Sequence, residues 1–283
     1  MTVLVFGGSS QIGRFLLPRL IAGGASVTAV SRLARASQPG LRWLQGHLPD
    51  ALPRELPHPS AIVSFGPLMP FAEWLSRADF GSEPPRVIAT SSMSAETKRD
   101  SGQPAERAIA QQLRDGEQAL AAACARHGAP WTVLRPTLIY GAGLDKSLSP
   151  IARRAWRTRV FPLPAGHGLR QPVHADDIAL AVLAALDCPA SAGRILPIGG
   201  GERLAAHDMF TRVRRTLPHA NLPLALPAWL LHAGQRYAPA KLRGPLARLD
   251  ADLIADNAEL ERLLGVTPRP FQPTADMWFP SRG

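Results

Sequence analysis

The segment Val3-Leu-Val-Phe-Gly7-Gly8-Ser9-Ser10-Gln11-Ile12-Gly13 restricts the possible folds of this chain more than any other. An apolar run enters a turn of small residues, and an apolar-periodic stretch, Gln11 to Ala22, leaves it. A strand feeding a helix through so short a turn opens a parallel sheet. Gly7 is expected to reverse the chain, and a small residue at Ser10 lets backbone approach a bulky anion. Gly13 is expected to let helix pack on strand. First-turn amides near Gln11 and Ile12 have no partner within the helix, so they present partial positive charge to a diphosphate.

The rest of the chain repeats the strand–helix alternation. Ser26 to Val30, Leu41 to Gln45, Ala61 to Phe65, Val87 to Thr90, Thr132 to Leu134 and Arg194 to Ile198 read as further strands, and Pro104 to His127 reads as a long helix. That helix is expected to bury Ile109, Leu113, Leu120 and Cys124. Beyond about residue 200 the strand pattern stops and Pro-broken helical segments follow, with a last helix over Asp250 to Leu264 ended by Gly265. The fold class expected is α/β, a doubly wound parallel sheet (Rossmann) with a small, mostly helical C-terminal cap. The sheet domain is assigned to residues 1–140 plus 173–199, and a substrate-side cap to 141–172 plus 200–283.

Composition removes several function classes. The longest apolar stretch, Leu222 to Leu231, is too short to span a bilayer and contains two prolines, so no membrane partner is expected. Cys124 and Cys188 lack metal-ligand spacing; the reading is no metal, no disulfide scaffold and a cytoplasmic setting. The net charge is +10, but 29 of the 32 basic residues are arginine and only Lys98, Lys146 and Lys241 are lysine. This is compositional bias, and no aromatics interleave the basic clusters, so no nucleic-acid partner is expected.

Several motifs then carry a family resemblance. The loop Gly7 to Gly13 resembles the Gly-x-x-Gly-x-x-Gly fingerprint of extended short-chain dehydrogenases, the epimerase/dehydratase superfamily, with Ser10 in place of the middle glycine. Val87-Ile-Ala-Thr-Ser-Ser92 resembles the strand ending in the catalytic serine, and Leu134-Arg-Pro-Thr-Leu-Ile-Tyr-Gly141 resembles the segment lining a nicotinamide pocket. Gln171-Pro-Val-His-Ala-Asp-Asp-Ile-Ala179 and Ile198-Gly-Gly-Gly-Glu202 are similar to two later family motifs.

The resemblance implies a nicotinamide dinucleotide held by Gly7, Ser9, Ser10, Gln11, Ile12, Arg32, Leu48, Phe65, Gly66, Thr90, Pro136 and Leu138, with Ser92 as the catalytic match. Ser31-Arg32 stands where NAD-binding members carry an acid, and Arg35 follows one turn later. A guanidinium pairs with a 2′-phosphate, so NADP is expected ahead of NAD. The family's Tyr-x-x-x-Lys pair is missing. Counting back from Glu117 puts Leu113 at the Lys position and Ile109 at the Tyr position. Tyr237 to Lys241 reproduces the spacing by coincidence, across Pro239. Tyr140 reads as structural, and His174 as a brace for the helix beginning at Asp176 more than as an acid/base.

Two functions follow. The first is an atypical NADP-dependent oxidoreductase acting on a small carbonyl or a phosphorylated or nucleotide-linked substrate, with Arg153 to Arg159 and Arg170 as candidate anion contacts. The second is a non-catalytic dinucleotide-binding sensor or assembly factor. The short crossover from Gly66 to Pro85 argues against the family's usual dimer.

Overall fold

A computed structural model describes residues 1–53, 56–166, 168–226 and 251–279. Its centre is a seven-stranded sheet of β1 (Thr2–Phe6), β2 (Ser26–Ser31), β3 (Leu41–Gln45), β4 (Ala61–Ser64), β5 (Arg86–Thr90), β6 (Trp131–Pro136) and, late in the chain, Arg194–Ile198. The order across the sheet is β3-β2-β1-β4-β5-β6 followed by that late strand, with every pairing parallel. The order reverses between β1 and β4, the switch point at which such sheets open a crevice.

Period-2 alternation makes β1 serve two cores. Val3 and Val5 face a cluster with Leu16 and Leu20 of α1 (Gln11–Ala22) and Ile178 and Val182 of Ala175–Leu186. Leu4 and Phe6 face Phe71 and Leu75 of α2 (Leu68–Arg77), with Leu120 and Cys124 of the long helix Pro104–His127. Helices therefore cover both faces, as the near-continuous apolar strands require.

The long helix buries Leu120 and Cys124 of the expected stripe, leaves Leu113 half-buried and does not bury Ile109. Glu106, Ala110, Glu117, Leu120 and Cys124 turn inward, whereas Ile109 is exposed. A buried ion pair sets this register: Arg135 of β6 donates from Nε to Glu117 Oε1 at 2.8 Å and from a terminal nitrogen to Oε2 at 2.5 Å.

Between the short helix α3 (Ser94–Thr97), the long helix α4 (Pro104–His127) and the last sheet strand lie β7 (Ile139–Tyr140), α5 (Leu148–Thr158), β8 (Val160–Pro164), β9 (Leu169–Arg170), β10 (Val173–His174) and α6 (Ala175–Leu186). The sheet strand Arg194–Ile198 is β11. After it come β12 (Leu204–Ala205), α7 (Ala206–Arg215), β13 (Leu222–Leu226) and α8 (Ala258–Leu264). Tyr140, Leu148, Phe161, Met209, Phe271 and Trp278 belong to a third apolar cluster beside the sheet.

Two expectations for the C-terminal region are corrected. Strands do not stop at residue 200: β12 pairs with β9, and β13 runs parallel to β8. The Leu222, Leu224 and Leu226 alternation has the strand period, and a two-stranded ribbon accepts prolines at its edges. The last helix is shorter than expected, because tertiary hydrogen bonds hold the preceding segment extended. Asp252 accepts from the Leu169 amide at 2.7 Å, and the Ala255 amide donates to Gln171 Oε1 at 2.8 Å. Gly265 at φ +64° does end α8.

Candidate functional site

The N-terminal loop is built as its composition requires. Gly7 has φ +76°, and the Ser10 amide closes the turn onto Gly7 O at 2.9 Å. Gly13 has no room for a side chain. A Cβ there would lie 2.1 Å from Gly8 O, so the start of the helix lies against the backbone of the turn that leaves β1. Ser10 caps α1, its Oγ accepting from the Gly13 amide at 3.2 Å. The hydroxyl is thereby turned into the helix start, and the amides of Gln11 and Ile12 stay without a partner among the described residues. Gln11 Oε1 is buried without a hydrogen bond among the described residues, and Gln11 lines the main cavity. Free amides at a helix start fit the diphosphate of a dinucleotide, and the Gln11 oxygen beside them fits a donor such as a ribose hydroxyl.

The other expected residues follow the carboxyl edge of the sheet. Phe65 lies behind Gly7, where a glycine Cβ would sit 3.2 Å from Phe65 Cβ, and Gly66 is half-buried next to it. Thr90 ends β5 and Pro136 ends β6, both buried. Ile12 is buried in the core, so only its backbone can serve a ligand. Leu48 packs against the Phe6 side of the sheet. Arg32 is exposed, its carbonyl accepting from Gln45 at 3.3 Å. Arg35 donates to Ser31 Oγ at 3.4 Å and lies over the Trp43 ring, 5.2 Å from its centroid.

Of the expected residues, Gln11, Ser92 and Leu138 meet at a cavity of 1210 Å³. Ser92 Oγ accepts from the Ser94 amide at 3.1 Å, which leaves its own hydrogen available to a ligand oxygen. The other wall comes from α5, β8 and α7. On the Ser92 side the cavity meets a pair that sequence reasoning missed. Lys98 and Glu106 are buried 3.8 Å apart, and Ser101 donates to the second Glu106 oxygen at 2.8 Å. The signal was present in the scarcity of lysine, but nothing in the spacing said that α4 would turn Glu106 inward.

Several candidates are redirected. Ile109 and Leu113 do not line the cavity; α4 contributes Glu106 instead. Arg153 donates to Gly143 O and Trp278 O, while Arg154, Arg157 and Arg159 face solvent, so this cluster does not line the cavity. Arg170 does line it, but donates to Leu169 O at 2.8 Å and Ala251 O at 2.6 Å. Tyr140 is fully buried edge-on to His174 and Phe271, and burial pushes its phenol up to about 12. Tyr237 and Lys241 lie outside the described residues.

His174 braces α6: its Nδ1 accepts from the Asp176 amide at 3.1 Å, and burial, reinforced by Arg269, holds it below the usual histidine range. A side chain on Gly141, at φ +114°, would collide with the His174 ring, Cβ to Nε2 being 2.3 Å. Asp176 and Asp177 are bound to Arg269, and Asp176 also to Arg19 of α1.

That network gives a pH prediction. Burial works against ionisation of Asp176, but hydrogen bonds from Arg269 and Arg19 outweigh it and hold the carboxyl below its ordinary value of 3.8. Its contribution is therefore present above the unfolded-state pKa and disappears as pH falls through the folded one. In urea unfolding, the stability gap between the protein and Asp176→Asn is expected to be constant from pH 7 to about 5 and to narrow below about 4. A gap that widened in acid would contradict this.

The sheet order and the loop at its switch point define the class, a Rossmann-type α/β protein. Within that class, the sequence profile of the NAD dependent epimerase/dehydratase family matches residues 94–199, from α3 through the glycine turn after β11. UDP-glucose 4-epimerase from Thermotoga maritima, solved with UDP-glucose, shares the fold with a TM-score of 0.70 at 18% identity over 95% of this chain and 94% of that one. UDP-glucuronic acid 4-epimerase from Bacillus cereus in complex with NAD gives 0.70 at 13% over 98% and 96%. A putative epimerase from Burkholderia cenocepacia gives 0.70 at 17% over 98% and 96%. No curated protein matches the sequence. No helix among the described residues is long and apolar enough to cross a membrane.

Proposed function

We propose that this protein binds NADP and acts as an atypical oxidoreductase on a carbonyl or hydroxy compound. The observation that carries the reading is the pair of unpartnered amides at Gln11 and Ile12, opening beside a cavity that contains Ser92. A nicotinamide dinucleotide bound there supplies hydride chemistry. Gln11 and Ile12 hold its diphosphate, and Thr90, Pro136 and Leu138 bound the nicotinamide side. Ser92 donates a hydrogen bond to the substrate oxygen. The proton comes from the cavity wall, where Lys98 is held by Glu106 in place of the missing phenol and lysine.

Preference for NADP rests on Arg32 and Arg35 at the end of β2, where the 2′-phosphate of the ribose would meet two guanidinium groups. The double variant Arg32→Ala/Arg35→Ala is expected to raise the NADPH dissociation constant about tenfold, the loss of about 1.4 kcal/mol of charge-assisted binding, and to change NADH affinity less than about twofold. Equal losses for both dinucleotides would remove the preference.

The whole reading is tested by titrating the protein with NADPH and NADH by fluorescence, then following oxidation of bound NADPH with a carbonyl panel. Binding followed by turnover, with Ser92→Ala slowing the reaction at unchanged NADPH affinity, is the expected result. Binding of neither dinucleotide would end the reading. Tight binding without turnover would favour the non-catalytic sensor, for which the exposure of Ile109 at the expected tyrosine position speaks.

A further inference from the structure

We propose that the cavity beside Ser92 takes a neutral, mostly apolar carbonyl or hydroxy compound rather than a nucleotide diphosphate sugar. This rests on the functional reading above and narrows its substrate.

Charge is the first argument. In a chain with net charge +10, the described cavity wall is formally negative. Five carboxylates line it, Glu96, Asp100, Glu106, Asp145 and Asp252, against three cations, Lys98, Lys146 and Arg170. Glu106 and Asp145 are buried, Glu106 beside Lys98, while Glu96, Asp100 and Asp252 are exposed and Glu96 is paired with Arg135. A diphosphate brought there therefore gains no net attraction from the wall.

The second argument is that the usual devices for holding a diphosphate are already engaged. Lys98 faces Glu106, and Arg170 donates to two backbone carbonyls. The start of α5 borders the cavity but is closed by its own chain. Asp145 accepts from the amides of Ser147, Leu148 and Ser149 at 3.0, 2.6 and 3.0 Å, and from the Ser149 hydroxyl. A carboxylate thus occupies the position a phosphate would take. Lys146 is exposed at the cavity border, where water screens it.

The third argument is the distribution of side chains. Leu144, Ile151, Pro162, Pro164, Phe210 and Leu253 give the side built around α5, β8 and α7 an apolar surface, edged by Asp145, Lys146, Arg170 and Asp252. The Ser92 wall carries hydroxyls, from Ser94, Thr97 and Ser101. A hydroxyl-bearing wall and an apolar surface edged by charge suit a molecule with an oxygen at one end and a hydrocarbon body. At 1210 Å³ the cavity exceeds the usual range of about 300–1,000 Å³, leaving room for such a body beside a nicotinamide ring.

The test uses the full chain with saturating NADPH, and equilibrium dialysis of 2-undecanone and of UDP-glucose. The ketone is expected to bind at least tenfold more tightly than UDP-glucose. Ile151→Asp and, separately, Leu144→Asp are expected to weaken the ketone at least tenfold with NADPH affinity retained, Leu144→Asp at an unchanged thermal unfolding midpoint and Ile151→Asp at a lowered one. Leu144 is 37% exposed, so its substitution leaves the fold intact. Tighter binding of UDP-glucose, or ketone affinity unchanged in the folded variants, overturns the proposal. If NADPH itself fails to bind, the parent reading falls; if NADPH binds and the ketone does not, only this inference falls.

Discussion

Gly13→Ala is expected to abolish measurable dinucleotide binding while the chain still folds at reduced stability. The added Cβ would sit 2.1 Å from Gly8 O and 2.7 Å from Gly8 Cα, and both are backbone atoms with no rotamer to change. The loop must shift, at a cost of about 1–3 kcal/mol for overpacking. That shift moves the Gln11 and Ile12 amides, to which the proposed function assigns the diphosphate; charge-assisted bonds of that kind contribute about 1.5–3 kcal/mol each. Their loss corresponds to about a hundredfold or greater weakening of NADPH binding by fluorescence titration. Affinity within about threefold of the parent would show that the loop is not where the diphosphate lies.

Glu117→Ala is expected to produce the largest loss of stability. Glu117 is 3% exposed and carries two hydrogen bonds from Arg135, whose remaining nitrogen bonds Glu96 at 2.6 Å. Removing one partner from a buried ion pair costs about 3–5 kcal/mol, because the other charge stays buried. Arg135 keeps Glu96, so the lower end applies, about 3 kcal/mol in urea unfolding. Glu117→Gln, which keeps the volume and one acceptor, should lose less. A change under about 1 kcal/mol in Glu117→Ala would mean that α4 is held to β6 by apolar packing alone.

The consequence for function runs through the same helix. The Glu117–Arg135 pair fixes which face of α4 looks inward, and that face carries Glu106 to the cavity wall beside Lys98. Weakening the pair is therefore expected to loosen the cavity as well as the core.

Local rules sufficed wherever a few neighbouring residues settle the conformation. The loop from Gly7 to Gly13, the strand alternation of β1 and the bounds Gln11–Ala22 and Pro104–His127 follow from turn chemistry and periodicity, and the structure has them. The bracing role of His174 was legible for the same reason, since an N-cap is made within two residues.

What only the tertiary structure decided is which groups from distant segments face one another. Apolar spacing along α4 pointed to Ile109, but an ion pair to a strand 18 residues away turned Glu106 inward instead. The arginines from Arg153 to Arg159 looked available in the sequence; one is tied to Trp278 O across 125 positions and the others face water. The sign of the cavity's charge could not be read from a chain whose total is +10, because the fold gathers five carboxylates, two buried and three exposed, from three separate stretches. Backbone preference acts over a few residues, whereas the partners of a buried charge are chosen by packing, and packing is settled only when the whole chain has closed on itself.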